Sequence, residues 1–92
     1  MGKVAAEIQS RLVAALRPTS LEVIDDSHHH AGHAGHRGDD AESHFTVKIS
    51  AASFAGQSRI ARQRAVYAAL GDLVAHDRVH ALRIVASAPG EA

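Results

Sequence analysis

The stretch His44-Phe45-Thr46-Val47-Lys48-Ile49-Ser50 decides the fold of this chain. From Phe45 onward apolar and polar side chains alternate at every step, the period of a strand with one face buried and one exposed. Ala51 to Gly56 then turns the chain, and Ser58 is a natural N-cap for a helix carrying Ile60, Val66, Tyr67, Leu70, Leu73 and Val74 on its apolar face. Asp77-Arg78 links that helix to a second alternating run, Val79 to about Ala86. Two strands bridged by a helix pair parallel, through a right-handed crossover.

Upstream, Val4, Ile8, Leu12 and Ala15 or Leu16 lie one helical turn apart, so Lys3 to Leu16 is a helix that Pro18 stops. Leu21-Glu22-Val23-Ile24 is a short strand entering a long loop, about residues 27–43. Joined to the next strand by that loop, it pairs antiparallel. The predicted order is helix, strand, strand, helix, strand: one domain over residues 1–92, α/β in content and α+β in layout, with a three-stranded mixed sheet and helices on one face.

This topology gathers particular residues at one sheet edge. The end of the first strand and the starts of the second and third converge there. The loop holds His28, His29, His30, His33 and His36, five of the chain's eight histidines, and His80 opens the last strand. Neutral imidazole is a common ligand for borderline metals, and Gly32, Gly35 and Gly38 let such a segment wrap an ion. His80 shares the face of Leu82 and Ile84 and sits at its rim. His44 has the opposite parity to Phe45, Val47 and Ile49, which suits it to a local hydrogen bond. A His-rich loop that is simply solvated, or that stores nickel or zinc, fits the same letters.

Composition narrows the function. Lys plus Arg and Asp plus Glu are 10 each, so no global field recruits nucleic acid or membrane at neutral pH. There is no cysteine, hence no disulfide framework, in keeping with a reducing compartment. No apolar run reaches the roughly 20 residues of a membrane span, and the first residues lack the apolar core of a signal peptide, so a cytoplasmic protein is expected. Aromatic residues make up 3%, few platforms for stacking on single strands. Ser53 and Ser58 are turn and cap residues before they are nucleophiles, and without a cysteine nucleophile, a phosphate loop or a carboxylate pair in a pocket motif an enzyme is not expected. Arg59, Arg62 and Arg64, with Lys48, are the candidates for phosphate contact in a DNA-binding reading; the competing reading has these arginines solvating an outer helix face.

Several segments in this order resemble the BolA-like family: Asp25-Asp26-Ser27 to His30, Glu42-Ser43-His44-Phe45, Ser53-Phe54-Ala55-Gly56-Gln57-Ser58, Ala61-Arg62-Gln63-Arg64-Ala65-Val66-Tyr67 and Val79-His80-Ala81-Leu82. Gln63 stands where the family usually has histidine, and the chain lacks the longer C-terminal tail of some members. The resemblance implies a fold similar to the class II KH domain. It also implies a role as an iron–sulfur adaptor that pairs with a monothiol glutaredoxin to share a [2Fe-2S] cluster. The partner's cysteine and glutathione then supply sulfur, while His80 and His30 supply imidazole, with His33, His28, His29 and His36 as other loop candidates. Alone, the chain is expected to be a monomer holding no cluster of its own. The family is also described as transcription regulators. KH recognition, however, uses a Gly-x-x-Gly clamp between helices, whereas Gly32-His33-Ala34-Gly35 lies between strands.

Overall fold

The computed structural model describes residues 2–26, 44–75, 79 and 81–91. Helix α1 spans Lys3–Leu16 and buries Ala5, Ile8 and Leu12. It ends where the residue before Pro18 leaves helical geometry: Arg17 is left-handed (φ 47°) and its N–H donates to the Val13 carbonyl at 3.1 Å, satisfying one carbonyl that the helix end would orphan.

Strand β1 is Ser20–Asp25, β2 is His44–Ser50 and β3 is Ala81–Ser87. They form one sheet in the order β1-β2-β3. β1 runs antiparallel to β2, with Val23 opposite Val47, and β3 runs parallel to it, with Ile84 opposite the same Val47. The order, the mixed pairing and the placement of β2 at the centre agree with the sequence pattern. Phe45, Val47 and Ile49 are buried against Ile8, Leu12, Val66, Leu70 and Leu73 in a single core, while Glu22, Lys48 and Arg83, of the opposite parity, are exposed. The helices therefore cover one face of the sheet, and among the described residues no element covers the other.

After β2, Ala52–Phe54 forms a 3-10 turn that drives Phe54 fully into the core. Ser58 caps α2, Arg59–Leu70, its hydroxyl accepting from the Ala61 N–H at 3.1 Å. Two expectations about this helix need correction. It ends at Leu70 rather than running on through Val74, because Gly71 takes a positive φ of 50° and breaks it, and a separate short helix α3, Asp72–Ala75, follows. In addition, Ile60 and Tyr67 are 62% and 41% exposed instead of lying on the apolar face. Val66 and Leu70, four apart, define the buried stripe, whereas Ile60, Arg64 and Tyr67 form a separate stripe at i, i+4 and i+7 on the solvent side.

Strand boundaries also moved. β3 begins at Ala81 and not at Val79, because the Val79 N–H donates to the Leu73 carbonyl at 3.0 Å and its buried side chain belongs to the connection. The α2–α3 junction is tied back to α1 by Arg11, which donates to the Leu70 carbonyl at 2.8 Å and pairs with Glu7 and Asp72. A cation on the last carbonyl of α2 suits the negative end of that helix.

Candidate functional site

Three chain segments meet at one end of the sheet. Asp26, just past β1, donates its backbone N–H to the His44 carbonyl at 2.7 Å, and its carboxylate accepts from the Thr46 hydroxyl. The two described ends of the long loop are thereby pinned together. Ala81, the first residue of β3, lies opposite His44 in the parallel ladder. A shallow hollow of about 430 Å³ opens on this end, lined by Asp26, His44, Thr46, Ala81, Leu82 and Arg83.

His44 is half-buried and has the parity of Thr46, opposite to the core residue Phe45, as its position in the sequence requires. His80 and the loop residues His28, His29, His30, His33 and His36 lie outside the described residues. Among the described residues no group of three His, Asp or Glu side chains is arranged to hold a metal ion. What the described residues establish is the framework: the last residue before the loop, the first residue after it and the residue following His80 all stand at the same sheet end.

The basic residues behave differently. Arg62 is not a free cation on an outer face: its side chain is only 13% exposed, and its two terminal nitrogens pair with the Glu91 carboxylate at 2.7 Å each. Its Nε donates to the Gln57 carbonyl at 3.1 Å, and a terminal nitrogen approaches the Ala86 carbonyl at 3.4 Å. The Arg62 fork holds the Glu91 carboxyl down at about 2, helped by the Ala88 N–H, which donates to it at 2.9 Å. Glu91 was not singled out by sequence. The signal was there in the Pro89-Gly90 turn, with Gly90 at φ 89°, which folds the following residue back. Lys48 projects from the open sheet face beside Glu22 and Val85, and Arg64 from the solvent stripe of α2. The four basic candidates are therefore not assembled into one phosphate-tracking surface: Arg59 and Arg62 share a groove, Arg62 is neutralised, and the other two stand elsewhere.

No helix among the described residues is long and apolar enough to cross a membrane. The sequence matches the family described as BolA-like protein over residues 12–91. It is 42% identical over 94 residues to SufE-like protein 1, chloroplastic/mitochondrial, of Arabidopsis thaliana, covering 99% of this chain but 25% of that protein, so the chain spans about a quarter of that relative's length. BolA1 from the same plant superposes with a TM-score of 0.85 at 38% identity, over 100% of this chain and 98% of that one. The BolA domain of SufE1 from Arabidopsis thaliana gives 0.82 at 38% identity over 100% and 99%. None of these relatives carries an enzyme's name, and the compartment named for the first is plastid or mitochondrion and not cytoplasm. With four-fifths or more of its length matched in sequence and all of it matched in fold, the chain belongs to the BolA-like family.

Proposed function

We propose that this protein is a non-enzymatic iron–sulfur adaptor that pairs with a monothiol glutaredoxin and shares a [2Fe-2S] cluster through imidazole, from His80, the residue preceding β3, and from His30 or a neighbouring histidine of the loop. The observation that carries the reading is the sheet end. Asp26, His44 and Ala81 are held side by side there, so the two described ends of the histidine loop and the residue next to His80 share one edge. A BolA domain joined to a SufE-like protein supports an iron–sulfur setting.

The donor set fits a shared cluster and not a private one. A chain without cysteine has no thiolate to offer, so sulfur ligands come from the partner. Exchanging two thiolates for two imidazoles on one iron raises a cluster's reduction potential, as in Rieske centres. The shared cluster is then cargo whose potential the adaptor retunes. The DNA-binding alternative loses support from the Arg62–Glu91 pair, which removes the central cation of the basic set.

The test is to mix the protein with a cluster-loaded monothiol glutaredoxin and follow visible absorption and circular dichroism. A new spectrum is expected, and His80→Ala should weaken it more than any single loop substitution, because the loop sequence offers other histidines in place of a lost one, whereas His80 alone directly precedes β3. A wild-type spectrum and stability for the His80→Ala heterodimer defeats the assignment.

A further inference from the structure

We infer that the free edge of β3, with the groove between it and the first turns of α2, accepts an extended acidic segment of a partner protein as a fourth strand. Among the described residues β3 has a strand neighbour on one side only, since the sheet order ends with it. Successive residues of a strand aim their backbone N–H and C=O to alternate sides. The Ser87 carbonyl accepts from the Ala51 N–H, on the β2 side, at 3.1 Å. The Ala86 carbonyl turns the other way, to Arg62. By the same alternation Leu82 and Ile84 direct their backbone groups to the free edge, where no other described backbone group bonds them.

The space beside that edge is shaped for a chain. A groove of about 650 Å³ runs along Leu82 to Ala86 on one wall, with Gln57, Arg59 and Gln63 on the other. Its apolar floor comes from the half-buried Leu82 and Ile84. Arg59 and Arg83 stand at its rim with no carboxylate in salt-bridge range among the described residues, whereas Arg62 is already matched by Glu91.

Charge selects the occupant. An uncovered edge strand invites pairing, and charged side chains on it discourage indiscriminate pairing. Two copies of this edge would bring Arg59 and Arg83 of each towards those of the other, so a second copy is disfavoured. A strand with carboxylates at alternate positions gains the main-chain bonds at Leu82 and Ile84, sets its row of carboxylates on the sheet face of Arg83 and lays its other side chains on the Leu82 and Ile84 floor. Arg59 at the rim adds a field of the same sign; this is strand addition with charge specificity. A nucleic-acid strand would also satisfy the arginines, but the groove has no aromatic wall for base stacking, and phosphates make no use of edge N–H and C=O groups together. Because β3 starts at the candidate cluster site, the groove adjoins that site without depending on it.

The test uses the wild-type chain without cluster or glutaredoxin, so its outcome is independent of the adaptor reading. The probe is a blocked synthetic peptide of about nine residues alternating valine and glutamate, compared with its valine–lysine counterpart, with oligo-thymidine and with duplex DNA. Amide spectra should shift along Gln57–Gln63 and Leu82–Ala86. Exchange at the Leu82 and Ile84 amides should slow about tenfold, and the lysine peptide should bind roughly tenfold more weakly or worse. The double substitution Arg59→Glu, Arg83→Glu should reverse the preference; if that variant does not fold, the wild-type comparison decides alone. Equal binding of the two peptides, shifts without slowed exchange at Leu82 and Ile84, tighter binding of either nucleic acid to this groove, or dimerisation of the free protein through β3 would each overturn the proposal.

Discussion

Thr46→Val isolates the contact that anchors the loop to the sheet. Thr46 is a polar side chain only 9% exposed in the middle of the sheet, and its hydroxyl is spent on the Asp26 carboxylate. Valine keeps the branched shape suited to a strand but not the hydroxyl, so the swap is not a neutral one. A hydrogen bond to a charged acceptor contributes about 1.5–3 kcal/mol net. Asp26 is half-buried, so water takes over part of the lost bond and the low end of that range applies. The added methyl returns up to about 0.8 kcal/mol. The balance is a loss of about 1 kcal/mol, a fall of roughly 4–8 °C in melting temperature for a domain of this size. The local effect should be larger than the global one: the Asp26 amide, bonded to the His44 carbonyl, should exchange several-fold faster than amides at the centre of β2. Thermal denaturation and amide exchange read the two effects separately. A variant as stable as wild type, with unchanged exchange at Asp26, would show that the hydroxyl does not hold the loop's first anchor.

Three other expectations follow from the described contacts. Glu91 should titrate near 2, well below the ordinary 4.5; because its folded-state pKa is depressed, the stabilisation from its pairing with Arg62 is whole above about 4.5 and is lost as pH falls towards 2. Carboxyl chemical shifts across that range check this, and Arg62→Gln should return the titration towards 4.5, so an unmoved titration refutes the pairing. Leu70→Ala should cost about 2–5 kcal/mol and Ile60→Ala under about 0.5 in denaturant unfolding, since one is fully buried and the other 62% exposed; equal costs would restore the single apolar face that the periodicity suggested. Phe54→Ala should lose about 3–5 kcal/mol, a large share of the roughly 5–15 kcal/mol that holds a small domain folded, and calorimetry should find it melting far below wild type or already unfolded at room temperature.

Local period and turn chemistry made much of the fold legible. Alternation in Phe45 to Ser50, the helical spacing of Val4, Ile8 and Leu12, the stop at Pro18 and the cap at Ser58 are short-range signals, and each reappears in the structure within a residue or so. Connection rules then forced one antiparallel and one parallel pairing, and with them the meeting of the loop ends and the start of β3 at one edge. That convergence was readable because topology alone produces it. Whether His80 and His30 ligate together was read from resemblance, and those residues lie outside the described part of the structure.

What the sequence could not decide depends on contacts between distant segments. Ile60 and Tyr67 look like core residues on a helical wheel, but the direction from which the sheet approaches α2 is set by Phe45, Val47 and Leu82, far away in sequence, and it leaves them in solvent. Arg62 reads as a surface cation beside Arg59 and Arg64 until the chain's last turn brings Glu91, 29 positions on, against it. Arg11 closes on Leu70 and Asp72 across a still longer separation. Secondary structure follows from the near-neighbour sterics that a sequence carries on its face. Which charges are neutralised, which edge stays open and which apolar stripe faces water follow from how the finished elements pack, and only the tertiary structure settles them.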